Sequence, residues 1–167
     1  MNSKTKIFIT GGTFDKEYNE ISGELYFNHT HMYELLELGR CKASVEIETL
    51  MMIDSLEMTT EQREHIIEKC QQEKNSQIVI THGTDTMVQT ANLLAKNIQN
   101  KTIVLTGAMM PFKFGSSDGL FNMGSAISYV QALSPGIYIA MNGQIFNWKN
   151  VRKNKTLGIF EKMEPSI

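Results

Sequence analysis

Three glycine-bearing threonine segments each follow an apolar, strand-like run, and together they hold most of the chain's reactive polar groups. Lys6-Ile7-Phe8-Ile9 leads into Thr10-Gly11-Gly12-Thr13, and Gln77-Ile78-Val79-Ile80 into Thr81-His82-Gly83-Thr84-Asp85-Thr86. Thr102-Ile103-Val104-Leu105 leads into Thr106-Gly107-Ala108-Met109-Met110-Pro111. In an open α/β sheet, ligands bind in the crevice beyond the carboxyl ends of the strands. Three such segments meeting there would gather hydroxyls, a carboxylate and backbone N–H groups around one small polar molecule, with nucleophilic attack on it as the available chemistry.

Each residue also has an ordinary structural use. A threonine hydroxyl such as that of Thr13 is a weak nucleophile that needs a base and a site for the developing oxyanion; as a turn or cap residue it needs neither. Thr84 and Asp85 fall where a strand gives way to a helix, so the helix N-terminus could hold a carboxylate or an oxyanion. The Asp85 carboxylate could pair with a substrate ammonium, or could simply cap its own helix. His82 reads as packed structure and is left unassigned. Lys153 lies in a basic tail, where a solvated charge is the ordinary case; buried beside a threonine, a lysine could instead act as its base. A phosphate cradle is not indicated, because neither G-x-x-x-x-G-K-[ST] nor G-x-G-x-x-G is present.

The elements that must position these residues alternate between apolar runs and helix-period segments, the pattern of βαβ units around a parallel sheet. Strands are expected at 6–10, 45–52, 78–81, 103–106 and 137–141. Helices are expected from Met32 to Gly39, at 61–72 with Thr60 as N-cap, at 86–97 and at 118–133. The stretch 15–27 reads as a loop or short hairpin, and the stretch from Asn142 as a polar, basic tail with Trp148 as its one large anchor. The fold class is α/β: a doubly wound, mostly parallel sheet in three layers, flavodoxin-like or Rossmann-like, forming a single domain over residues 1–167.

A chain of 167 residues with 41% hydrophobic and 20% charged residues and a net charge of −2 has the composition of an ordinary globular domain. No lysine- and arginine-rich block marks a nucleic-acid partner; Lys149, Arg152, Lys153 and Lys155 are too few. No secretion signal or membrane span is visible, and Cys41 and Cys70 stand in no metal-ligand spacing. These features suit a cytoplasmic protein with reduced thiols, no bound metal, no cofactor and no membrane partner.

Taken together, the segments resemble the bacterial-type L-asparaginases. Ile9-Thr10-Gly11-Gly12-Thr13 is similar to that family's first threonine motif and Thr81-His82-Gly83-Thr84-Asp85-Thr86-Met87 to its second. Thr106-Gly107-Ala108-Met109-Met110-Pro111 and Ser117-Asp118-Gly119-Leu120-Phe121-Asn122 resemble two further shared segments, in the same order along the chain. The resemblance covers the family's amino-terminal domain only. It therefore implies a short, single-domain branch from which the carboxyl-terminal domain is absent.

The resemblance implies hydrolysis of L-asparagine to L-aspartate and ammonia. Thr13 matches the nucleophile, Thr84, Asp85 and Lys153 the group that polarises a second threonine, and Asp85 also the partner of the substrate α-amine. Lys153 is located by its distance from Met141-Asn142. Ser55 matches the ligand of the α-carboxylate, Ala108 the backbone acceptor of the amide nitrogen, and Gly12 and Gly83 the backbone lining of the site. Tyr18 matches the tyrosine of the loop after the first threonine, with Tyr26 as its competitor. The family's glutamine after the serine is replaced by Leu56. A homodimer or higher homo-oligomer is implied as well. Glutaminase or another amidase activity, and a non-catalytic amino-acid-binding module, are the alternatives.

Overall fold

The computed structural model describes residues 4–163. Its centre is a six-stranded sheet built from β1 (Thr5–Gly11), β4 (Val45–Ile53), β5 (Gln77–Thr81), β6 (Thr102–Thr106), β7 (Gly136–Met141) and β8 (Gln144–Asn147), in the order β4-β1-β5-β6-β7-β8. All neighbours are parallel except β7 and β8. Taking the parallel strands in chain order, the arrangement is second-first-third-fourth-fifth. That is the flavodoxin-like order, which places its topological switch point between the first and third strands, here β1 and β5.

The inner parallel strands β5 and β6 are apolar on both faces, as a sheet covered on both sides requires. Phe8, Ile78, Ile80, Ile103 and Leu105 point to one face, where α2 (Thr60–Gln72) contributes Ile66 and Cys70 and α3 (Met87–Asn97) contributes Ala91 and Leu94. Ile7, Ile9, Val79 and Val104 point to the other. There α1 (Met32–Leu38) contributes Met32 and Leu35, and α4 (Gly119–Ala132) contributes Met123, Ala126 and Val130. The expected three-layer, doubly wound class is the observed one.

Two local expectations change. The N-cap of α2 is Thr59, not Thr60: Thr59 has extended dihedrals, its Oγ1 accepts from Gln62 N–H (3.3 Å), and Gln62 Oε1 accepts from Thr59 N–H (2.9 Å). Only a residue outside the helix can turn its side chain back onto the first turn in this way, and this capping box fixes the boundary. The stretch after Asn142 is also not a plain polar tail anchored by Trp148. It forms the antiparallel edge strand β8 and a hairpin of β9 (Arg152–Asn154) and β10 (Ile159–Glu161). Phe146, Val151 and Phe160 are its buried anchors, and Trp148 is only half-buried. The stretch 15–27 closes as a hairpin of β2 (Lys16–Asn19) and β3 (Glu24–Phe27). No helix among the described residues is long and apolar enough to cross a membrane.

Candidate functional site

The ends of β4, β1 and β5 are pressed together by glycines. Gly12 has φ of +80°, and a Cβ there would stand 2.5 Å from Gly83 N. Only glycine tolerates both the dihedral and the approach. A Cβ on Gly83 would in turn stand 2.5 Å from Ser55 Oγ, and Gly12 N–H donates to Ile53 O at 2.9 Å. The residues following the two glycines, Thr13 and Thr84, are thereby held on adjacent loops at the switch point.

Thr84 is buried, and its Oγ1 accepts from Lys153 Nζ at 2.7 Å; the same ammonium donates to Asp85 Oδ1, also at 2.7 Å. Lys153 lies 69 residues from Thr84 in sequence and its side chain is only 10% exposed. It reaches the crevice because the β9–β10 hairpin folds back over it. Neighbouring Arg152 pairs with Glu161 at 2.8 Å, so the basic cluster of the tail is largely spent on internal contacts. Thr13 lies in a single 3-10 turn, Thr13–Asp15, and is partly exposed. Among the described residues its hydroxyl makes no hydrogen bond.

The other expected residues divide. Ser55 is buried beneath Gly83, with its Oγ 3.4 Å from Thr86 N–H. Ala108 is buried at the end of β6, where Asp118 and Asn122 clamp its loop. The Asp118 carboxylate accepts from Met109 and Met110 N–H, Asn122 Nδ2 donates to Gly107 O (2.8 Å), and Asn122 Oδ1 accepts from Asn142 N–H (2.8 Å). Tyr18 sits on the β2–β3 hairpin, 57% exposed, and no hydrogen bond joins it to the other site residues. The Tyr26 hydroxyl donates to Glu17 Oε2 at 3.1 Å. The hairpin is tied to the segment before Ser55 by Lys16, which donates to Asp54.

Sequence reasoning missed Arg63. It is buried in α2, with its Nη2 donating to Thr86 Oγ1 (2.7 Å) and Ser55 O (3.4 Å) and its Nε to Thr90 Oγ1 (3.2 Å). It stitches the Ser55 and Thr84–Thr86 segments to one helix. A buried arginine on a mostly polar helix has no distinguishing local pattern, so nothing in the spacing signals it. His82 continues the network: Thr90 Oγ1 lies 2.8 Å from its Nε2, and its Nδ1 lies 2.8 Å from Gly83 O. Because a carbonyl only accepts, Nδ1 carries the proton and donates to Gly83 O, while Nε2 accepts from Thr90. His82 is thus a packed residue that orients the Gly83 peptide, as the sequence suggested.

Burial pushes the His82 imidazole down to about 4. The unfolded chain binds that proton near pH 6.5, so between about pH 6.5 and about pH 4 the unfolded state holds more protons. The contribution of His82 to stability is therefore full above this window and lost as pH falls through it, by up to about 3 kcal/mol. Urea unfolding at both ends of the window should show wild type losing more stability on acidification than His82→Gln. Equal losses in the two proteins would contradict this account.

Comparison with known proteins gives the same outline. Residues 4–162 match the family described as "Asparaginase, N-terminal". The chain is 32% identical over 164 residues to L-asparaginase 1 of Escherichia coli, a match covering 92% of this chain and 47% of that protein. It is 41% identical over 80 residues to the glutaminase-asparaginase of Acinetobacter glutaminasificans, covering 46% of this chain and 24% of that one. The solved structure of the thermostable L-asparaginase from Thermococcus kodakarensis superposes with a TM-score of 0.85 at 28% identity, over 98% of this chain and 52% of its own. The chain spans about half the length, or less, of the relatives it matches.

Proposed function

The chain belongs to the asparaginase family, and from that premise we propose that it hydrolyses L-asparagine to L-aspartate and ammonia with Thr13 as nucleophile. The observation that carries this reading is the Lys153 ammonium, held under Thr84 and Asp85 by two 2.7 Å hydrogen bonds and largely shielded from water. A turn threonine and a helix-capping aspartate would have no use for a lysine drawn from the far end of the chain.

In this reaction Thr13 Oγ1 attacks the side-chain carboxamide carbon. Backbone N–H groups of the crevice hold the oxyanion. The Thr13 proton passes to Thr84 Oγ1 while the Thr84 hydroxyl proton passes to the departing nitrogen, and the Lys153 ammonium holds Thr84 in place for this exchange. Ammonia leaves, and water then cleaves the Thr13 ester to release aspartate. Lys153 donates into a lone pair of Thr84 Oγ1, which leaves the Thr84 hydroxyl hydrogen free to point at the reacting atoms. Asp85 takes the α-ammonium, the Ala108 carbonyl accepts from the amide nitrogen, and Tyr18 closes over Thr13 from the hairpin. Tyr18 is preferred over Tyr26 because the Tyr26 hydroxyl is already engaged with Glu17. The assignment of Ser55 to the α-carboxylate rests on the family resemblance, and its burial beneath Gly83 counts against direct contact.

Ammonia release from purified protein, given asparagine and glutamine in parallel, tests the proposal. Release from asparagine at the higher kcat/KM supports it. A preference for glutamine favours the second reading, which the likeness to a glutaminase-asparaginase keeps in view; one methylene gives only modest discrimination in a pocket. Binding of either amino acid without release would leave an amino-acid-binding module. The proposal includes a cytoplasmic homo-oligomer. The free thiols of Cys41 and Cys70 suit a reducing compartment, and exposed Phe121 beside a groove between α1 and α4 suits self-association. Sedimentation velocity checks the assembly.

A further inference from the structure

The β2–β3 hairpin is rooted in a group of side chains that the proposed reaction does not use. Glu17 lies on β2 beside Tyr18; His29 and His31 follow β3. One ligand atom from each of the three lies within 4.8 Å of the others. Glu17 Oε1 stands 3.1 Å from His31 Nε2 and 4.0 Å from His29 Nδ1. The His31 side chain is fully buried; its Nε2 meets the Glu17 carboxylate outside hydrogen-bond geometry, and its Nδ1 finds no hydrogen-bond partner among the described residues, Glu34 Oε2 standing 3.9 Å away. Buried polar atoms nearly always have partners, and an exception calls for an unseen water or ion.

From this geometry we infer that Glu17, His29 and His31 form a binding site for a divalent cation of the zinc class at the root of the hairpin. Two imidazoles and one carboxylate suit zinc, cobalt or nickel, whereas calcium and magnesium take oxygen ligands. Tetrahedral zinc with ligands at 2.0–2.2 Å spaces its donor atoms by roughly 3.3 Å. Closing the observed triangle onto such an ion needs shifts of about 1 Å, within reach of the exposed His29 ring. The fourth position is left to water. The Tyr26 hydroxyl donates to Glu17 Oε2, which orients that carboxylate. A bound ion would tie β2 to the segment after β3 and so fix the hairpin that carries Tyr18.

The test is binding of the metal alone, whatever the protein's activity. Chelator-treated full-length protein is titrated with CoCl2, read by visible absorption, and with ZnCl2, read by calorimetry and by the melting temperature. The expected result is one cation per chain, a zinc-dependent rise in melting temperature, and at least about tenfold weaker binding in both Glu17→Gln and His29→Ala. His29 is 65% exposed, so its removal leaves the fold intact where truncating buried His31 would not. His65→Ala, which alters an exposed histidine on α2, serves as the control and should bind as wild type does. No binding, unchanged binding in either ligand variant, or an equal loss in the control overturns the site.

Discussion

Thr13→Ala is expected to lower asparagine turnover on the order of 10⁴-fold, with the melting temperature and circular dichroism unchanged. The size of the effect follows from the role: the remaining hydroxyl, Thr84 Oγ1, is engaged by Lys153, so the variant keeps only binding and oxyanion stabilisation. The fold should not notice, because the Thr13 hydroxyl makes no hydrogen bond among the described residues and is partly exposed. Thr13→Ser, which keeps the hydroxyl, should recover a measurable part of the rate. Steady-state ammonia release reads both variants. An alanine variant within about tenfold of wild type would remove Thr13 from the chemistry, since even general acid–base groups contribute more than that.

Lys153→Met should reduce kcat by about 10²- to 10⁴-fold, the range for disabling a positioned proton-transfer group, here Thr84. It leaves Thr84 Oγ1 and Asp85 Oδ1 without the donor they share. Because Asp85 is also assigned to the α-ammonium, its unbalanced carboxylate should still attract substrate, so KM should change much less than kcat. Lys153→Arg should not rescue the rate, because a planar guanidinium does not fit a point-charge position. Lys153 lies on the short strand β9, whose partner β10 keeps the buried Phe160, so both variants should remain folded. If Lys153→Met turned over like wild type, the Thr84–Lys153–Asp85 arrangement would be an ordinary ion pair and the relay would be wrong.

The strands and helices that build the sheet were legible because their signals are local. Ile78, Val79 and Ile80, and Ile103, Val104 and Leu105, are apolar on both sides because both faces of the sheet are covered. Ile66 and Cys70 recur at helical spacing on α2. Legibility failed where the signal was a reciprocal side-chain contact or a short, mixed segment. Thr59 and Thr60 are identical in type, and only the bond to Gln62 distinguishes the cap. The strands after Asn142 are three or four residues long and carry one buried anchor each at most, too little for a period to register. Arg63, and the group Glu17, His29 and His31, lacked any spacing that separates them from surface residues.

By itself the sequence determined which residues have chemistry to offer and that each threonine segment follows a strand, since backbone angles and apolar periodicity are properties of neighbouring residues. Which segments meet was decided by the tertiary structure. The order β4-β1-β5 sets Gly12 against Gly83 and Gly83 against Ser55, and the terminal hairpin delivers Lys153 to Thr84 across 69 residues of chain. Such contacts follow from how strands are ordered and how a hairpin packs on them, and no local stretch of sequence encodes either.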